Sequence, residues 1–401
     1  MIKSFFASVC LLIGFTGYAQ DIKTGVLVIG ANSSGYAAAI QSAKSGVKTL
    51  LIDAGSFHSI TLSPEDRSIN AGIYAEFSRI VDSLQKSPLQ AHHSLTPEFT
   101  AQVFKVWTDT LKNLTILSNA SVQKIKKSGK SWQVDLPGRE IKVDIILDAT
   151  PTYSIAKMAG LADSKDSQPV LSIYSDKLYR TSVAALQEDN GVSKLITLSS
   201  LLAPGIENLV LAAPIGKVST LLSAQAAGAT AAYCVFFKTG TKNLNVRMIQ
   251  SELLSYKSHI IRYADIADTD SSMIAFQHIG VTGIFKAKEE NGNLFFLPDS
   301  TVSVDELKQP FRELYSRSQI WFLDHKEDRI TLETALSLIK FVGSRGKELD
   351  KEVESAWTKS LKLEGKFDLK KPVTRREFAI LLDTYLQPFN VAVTIDGLIK
   401  S

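Results

Sequence analysis

Residues 25–53 read GVLVIGANSSGYAAAIQSAKSGVKTLLID, and the order of residue types in this stretch admits few folds. Val26 to Ile29 is an unbroken apolar run, the pattern of a strand buried on both faces of a parallel sheet. Gly30 ends it, small residues follow, and the segment from Ala37 to Ala43 is rich in the best helix former. Gly46 closes that helix, and a second apolar run, Thr49 to Ile52, stops at Asp53. Strand, tight turn, helix and strand in this order make a βαβ unit, whose strands are parallel and seldom stand alone.

The turn has the spacing of the dinucleotide-binding fingerprint G-x-G-x-x-G, with an acid about twenty residues beyond it to receive a ribose hydroxyl. Here it reads Gly30-Ala31-Asn32-Ser33-Ser34-Gly35, and the acid is Asp53. Asn32 occupies the middle-glycine position, which normally lets the backbone approach a phosphate with no Cβ in the way. Asn tolerates a left-handed backbone better than most residues, so the turn itself can survive the exchange.

The chain has 401 residues, a length that suggests two or three domains. Its apolar fraction of 45% supports a full core, and a net charge of +4 gives no footprint for nucleic acid or a charged membrane surface. Residues 1–20 stand apart. Lys3, an apolar core from Phe5 to Phe15 and Gly17-Tyr18-Ala19 before Gln20 have the layout of an export signal cleaved after Ala19. That core is shorter than the roughly 20 residues a transmembrane helix needs, so no transmembrane span is expected. Cys10 leaves with the signal, and Cys234 in an apolar helical segment reads as a buried small hydrophobe. Cysteine and histidine spacing offers no metal site.

Beyond the βαβ unit, residues 56–93 lack a clear pattern. A helix is expected from Pro97 to Leu111 with Thr96 as its cap. Strands are expected over 114–117, 120–125, 132–136 and 141–147, with hairpin turns at Ser128-Gly129-Lys130 and Pro137-Gly138. A third apolar run, 209–213, precedes a small-residue helix over 220–237. The basic run Lys124-Ile125-Lys126-Lys127 suits a solvated hairpin edge. His92-His93 reads as solvated loop and His278 as core or surface, so no catalytic acid, base or nucleophile stands out. From about Tyr263 the chain becomes mainly helical. Tyr263-Ala264-Asp265-Ile266 through Phe296-Leu297-Pro298 is echoed by the segment that ends in Thr374-Arg375-Arg376-Glu377-Phe378-Ala379, which suggests a two-copy repeat.

Three segments together resemble one family. The first is the βαβ unit. The second, Ile141 to Leu161, has an apolar strand ending in Asp148-Ala149-Thr150-Pro151 and is similar to the second strand-to-helix segment of glutathione-reductase-type flavoproteins. The third contains Glu207-Asn208-Leu209 and Gln225-Ala226-Ala227-Gly228 and resembles the C-terminal flavin segment of FAD-dependent oxidoreductases of exported bacterial proteins. The likeness covers about residues 22–260. The region after it is similar to S-layer-homology-like modules.

The resemblance implies an α/β fold: a shortened Rossmann-like FAD/NAD(P)-binding domain over 21–260, with a parallel sheet and a β-rich insertion, then a mainly helical region over 261–401. It implies FAD as cofactor, with Gly30, Asn32, Ser33, Ser34, Gly35, Asp53, Val122, Ala149, Thr150, Ala213 and Pro214 around it. Folding after export favours a tightly held flavin over a diffusible nicotinamide. Asn32, Pro151 and Pro214 depart from the family pattern, and Thr150 to Glu207 is too short for a substrate domain. Two functions follow. One is an exported oxidoreductase passing a hydride from a small or carbohydrate-like substrate to flavin. The other is a non-catalytic relative that binds cell-envelope glycan or protein as a scaffold.

Overall fold

In the computed structural model, the described residues are 22–54, 60–61, 70–85, 94–162, 170–171, 174, 176–187, 192–212 and 221–400. The expected export signal, His92-His93, Ala213 and Pro214 lie outside them. The βαβ unit is β1 (Ile22–Ile29), α1 (Ser33–Lys44) and β2 (Thr49–Asp53). A short pair, β3 (Ile60–Thr61) and β4 (Ser94–Leu95), brackets α2 (Gly72–Gln85), and α3 (Pro97–Thr108) leads into β5 (Leu114–Ser118). Then β6 (Lys124–Ser128), β7 (Ser131–Leu136) and β8 (Arg139–Asp148) form an antiparallel meander before α4 (Ser154–Met158).

The main sheet is ordered β5-β2-β1-β8-β7-β6, and the strands from β5 to β8 run parallel. The long β8 serves two neighbours on one side. Its first half pairs with β7, and its last residues pair in parallel with β12 (Leu209–Leu211). Alternate residues of the parallel strands enter two separate cores. Val26, Val28, Leu51, Ile145 and Leu147 face the helices, whereas Leu27, Ile29, Leu50, Ile52 and Ile146 face α4 and Trp132, Val134 and Leu136 of β7. Burial on both faces explains why these strands read as continuous apolar runs.

The helical face is built on close approach. α5 (Leu221–Phe236) crosses α1 so tightly that a Cβ on Gly228 would stand 2.3 Å from the Ala38 carbonyl oxygen. Ser42 Oγ donates to Gly228 O at 2.9 Å. The buried Gln225 ties three helices together: its Nε2 donates to Gln41 Oε1 at 2.9 Å, and its Oε1 accepts from the Ile73 N–H at 3.1 Å.

Between Thr150 and Glu207 the described residues hold no separate substrate domain. A small sheet stands there, β9 (Val170–Leu171), β10 (Ser182–Gln187) and β11 (Ser193–Thr197), in the order β10-β11-β9. α6 (Val246–Ser255) anchors it through Gln250 Nε2, which donates to Ser182 O at 2.8 Å. Burial, reinforced by Arg180, holds the neighbouring Arg247 guanidinium down at about 9.

Two sequence expectations change. Residues 120–123 are not a strand, because the chain turns at Asn119 with φ of 55° and the ladder with β7 starts at Lys124. The C-terminal region has three helix pairs rather than a two-copy repeat. α7 (Met273–Thr282) is followed by the hairpin β13 (Lys288–Glu290) and β14 (Asn293–Phe295), then α8 (Val304–Leu314). α9 (Ser318–Asp324) precedes α10 (Leu332–Gly343), and α11 (Glu348–Ala356) precedes α12 (Arg375–Leu381). The second helix of each pair starts at a side-chain cap: Ser303, Thr331 and Thr374 accept from the N–H of Glu306, Thr334 and Glu377. The residues just before those caps close a ring of backbone hydrogen bonds. Val302 N–H donates to Val373 O, Val373 N–H to Ile330 O, and Ile330 N–H to Val302 O, at 3.2, 3.0 and 2.9 Å. The apolar core runs without a break from Val26 to Val393, so the expected boundary near residue 260 is not a gap in packing.

Candidate functional site

The parallel strands end together. Ile29 is level with Ile52 and Asp148, and Leu211 with Asp148, so β1, β2, β8 and β12 end at one edge of the sheet. Ligands of open α/β sheets bind beyond such an edge. Gly30 takes φ of 109°, and a Cβ there would lie 2.9 Å from the Ala149 backbone. A Cβ on Gly35 would lie 1.7 Å from Gly30 O. Both glycines thus keep α1 against the ends of β1 and β8.

Asn32 is the N-cap of α1 and is extended, with φ of −92° and ψ of −177°, so the turn makes no use of the tolerance of Asn for a left-handed backbone. Its carboxamide makes two bonds. Oδ1 accepts from the Gly35 N–H at 3.0 Å, and Nδ2 donates to Ala149 O at 2.6 Å. The side chain therefore spans the crevice between the turn after β1 and the end of β8. Ser33 opens the helix half-buried, and Ser34 follows fully buried with an Oγ that has no hydrogen-bond partner.

Asp53 closes β2 at 6% exposure, and its carbonyl accepts from Ala120 N–H at 3.1 Å. Two residues on, Val122 is half-buried and packs on the second core. Tyr36, in the first turn of α1, has its phenol pushed well above the ordinary range by burial and then by the Asp53 charge. It stacks on Phe104 with ring centroids 4.3 Å apart. Tyr36 was not singled out by its sequence, where it looks like one more apolar helix residue.

The Asp148-Ala149-Thr150-Pro151 turn is organised by a residue that the sequence reading left outside the site. Asp148 is fully buried; it accepts from Thr150 N–H at 2.9 Å, Thr150 Oγ1 at 2.6 Å and Ala156 N–H at 2.8 Å. Thr150 Oγ1 in turn accepts from Ser154 N–H at 2.8 Å. Asp148 thus joins the end of β8 to the first turns of α4. The signal was present as an acid with Thr two residues on and Ser six residues on, a local side-chain-to-backbone pattern.

The other quoted motifs are structural in this fold. Asn208 is buried; its Oδ1 accepts from Thr241 N–H at 3.0 Å and its Nδ2 donates to Lys130 O at 2.6 Å, which fixes the start of β12. His278 pairs with Asp383 at 2.7 Å and stacks on Phe389, far along the chain from the strand ends. Burial pushes the Cys234 thiol up to about 12, as expected of an inert core residue. Among the described residues, no three His, Cys, Asp or Glu side chains gather to hold a metal, and no helix is long and apolar enough to cross a membrane. A hollow of about 780 Å³ lies between α2, the end of α6 and the start of α7, bordered by Ser258, His259 and Asp268.

Sheet, crevice and helix terminus define a nucleotide-binding α/β domain. Residues 25–166 match the family of FAD dependent oxidoreductases, which supports FAD binding by this domain. No curated protein matches the chain. Solved structures similar to it include bacillithiol disulfide reductase Bdr (YpdA) from Staphylococcus aureus, 16% identical with a TM-score of 0.26, over 33% of this chain and 39% of that one. CtdE in complex with FAD is 16% identical with a TM-score of 0.28, over 34% and 41% of the two chains. p-Nitrophenol 4-monooxygenase PnpA from Pseudomonas putida DLL-E4 is 12% identical with a TM-score of 0.34, over 59% and 85%. The chain spans about two fifths of the first two.

The residues at the edge fit a dinucleotide. The start of α1 offers a helix dipole and first-turn N–H groups, which favour a pyrophosphate. The orphaned Ser34 hydroxyl is a buried polar atom that a phosphate oxygen would satisfy. Asp53, at the end of the adjacent strand, stands where a ribose hydroxyl would be received.

Proposed function

We propose that this protein is an exported FAD-dependent oxidoreductase that acts on a small or carbohydrate-like substrate. The observation that carries the reading is the strand-end crevice, where the α1 terminus, the partnerless Ser34 hydroxyl and Asp53 line up within the segment that matches the family. Bound FAD would supply the hydride acceptor, chemistry that belongs to the cofactor and not to a side-chain triad. The chain's own part is to seat the pyrophosphate at Ser33 and Ser34, hold the ribose at Asp53, and fix the neighbouring wall through Asp148 and Thr150. Export rests on the leader-like pattern of residues 1–20.

The test is the visible spectrum of the purified full chain after incubation with FAD. Absorbance near ~450 nm, a general flavin property, at close to one equivalent supports the reading. A colourless protein that takes up no FAD would sink it.

The ring of capped helices favours a second reading, in which the C-terminal region attaches the protein to a cell-envelope glycan or protein. It is a sizeable unit built around its own ring of backbone hydrogen bonds, and its sequence resembles S-layer-homology-like modules. Co-sedimentation of the full chain with purified envelope glycan tests this. A protein that pellets with glycan yet binds no flavin would make the scaffold reading the better one.

A further inference from the structure

We infer that Asn32 is an internal plug of the phosphate seat: its carboxamide takes up hydrogen-bonding positions that a cofactor phosphate would approach. The inference rests on the FAD reading given above and concerns how tightly that site can be filled.

Three observations carry it. Asn32 Oδ1 already satisfies the Gly35 N–H at 3.0 Å, one of the first-turn donors that make a helix start attractive to anions. Asn32 Nδ2 reaches across to Ala149 O at 2.6 Å and straps the crevice shut between the ends of β1 and β8. An ordinary N-cap uses only its acceptor oxygen, so the second bond is what distinguishes a strap from a cap. Meanwhile the neighbouring Ser34 Oγ is left buried and without a partner. The first turn therefore has one donor satisfied from inside and one buried hydroxyl without a partner.

An incoming pyrophosphate has to displace the carboxamide or bind further out. Displacing the carboxamide breaks two hydrogen bonds, so Asn32 weakens cofactor binding.

Two variants separate the plug from a plain cap. Asn32→Gly removes both bonds, and glycine is tolerated at an N-cap at little cost. Asn32→Ser keeps a capping oxygen but is too short to reach Ala149. The plug predicts that FAD affinity, read by quenching of flavin fluorescence on titration, rises in the order wild type, Ser, Gly. The gain for Gly should be tenfold or more, which is about 1.4 kcal/mol. The melting temperature without ligand should fall in the same order. If wild type binds FAD and neither variant binds more tightly, the plug is overturned and the FAD reading stands. If no version takes up FAD although the melting temperatures fall as expected, the FAD reading itself fails and the inference falls with it. The Ser variant keeps the test alive should the Gly variant not fold.

Discussion

Gly35 is the position where this fold is most sensitive to a single added atom. A Cβ there would stand 1.7 Å from Gly30 O, 2.9 Å from Gly30 C and 3.3 Å from the Ala149 Cβ. Carbon atoms pack comfortably at about 3.5–4.0 Å, so α1 would have to withdraw by well over 1 Å. Both nearest atoms are backbone and no rotamer change relieves the contact. Overpacking a tight site costs ~1–3 kcal/mol and occasionally more. Gly35→Ala belongs at or above the top of that range, since withdrawal also strains the Tyr36 N–H bond to Asn32 O and the Gly35 bond to the Asn32 side chain. Two other glycines serve as controls. Gly228→Ala places a Cβ 2.3 Å from Ala38 O but gains helix propensity worth ~1 kcal/mol, so it should cost less. Gly46→Ala meets nothing within 4 Å and pays only for φ of 86°, about 1–2 kcal/mol. Urea denaturation followed by far-UV circular dichroism should rank the losses as Gly35 first, Gly228 next and Gly46 last. A Gly35→Ala protein within ~1 kcal/mol of wild type would refute the close approach of α1 to β1.

Burial lifts the Asp148 carboxyl above its ordinary range, while its bonds from Thr150 and Ala156 act the other way. A raised folded-state value means that the folded protein holds this proton more tightly. The resulting stability is fully present below the unfolded value and is lost as pH rises through the folded one. The stability of wild type minus that of Asp148→Asn should therefore shift in favour of wild type as the pH is lowered; a difference that does not move with pH would refute this. In the C-terminal ring, Ser303→Ala and Thr374→Ala each remove an N-cap, and each should cost about 0.5–2 kcal/mol in thermal or urea unfolding. Thr374 should cost the more, because its side-chain bond is one half of a capping box in which the Thr374 N–H also donates to Glu377 Oε2 at 3.0 Å, and the surviving half loses the partner that orders it. Equal, negligible effects would mean the ring is held by packing alone.

What the sequence made legible is what local chemistry decides. The βαβ unit is found where its apolar runs and glycines place it. Thr96 caps the helix that Pro97 opens. The hairpins turn at Gly129 and Gly138, with φ of 61° and 73°. What was missed depends on partners distant in sequence. The two bonds of the Asn32 carboxamide include one to a residue 117 positions away, so neither its extended backbone nor its reach could be read from the turn. The helical ring joins Val302, Ile330 and Val373 by backbone atoms, which leave no side-chain pattern, and its α9 is only 7 residues long. Asp148 was visible as the end of a strand, but its three bonds appear only once the chain after it folds back.

The fingerprint residues of this chain separate two physical jobs that a glycine motif normally carries together. Gly30 and Gly35 face backbone, of Ala149 and of each other, and side chains there would force the helix off the sheet whether or not a ligand is present. The middle position faces the crevice. A side chain there meets no backbone that it must displace and can even add bonds, as Asn32 does to Gly35 and Ala149. The same logic applies at Pro151. The donors that bind Asp148 come from Thr150 and Ala156, so a proline at the exposed next position leaves the turn intact and removes only an N–H that would have faced outward. Substitution at the packing glycines costs fold stability, whereas substitution at Asn32 changes the bonds of the turn together with the room left in the crevice. A chain can therefore keep the architecture of this α/β domain while a few side chains at the strand ends decide how open its crevice is.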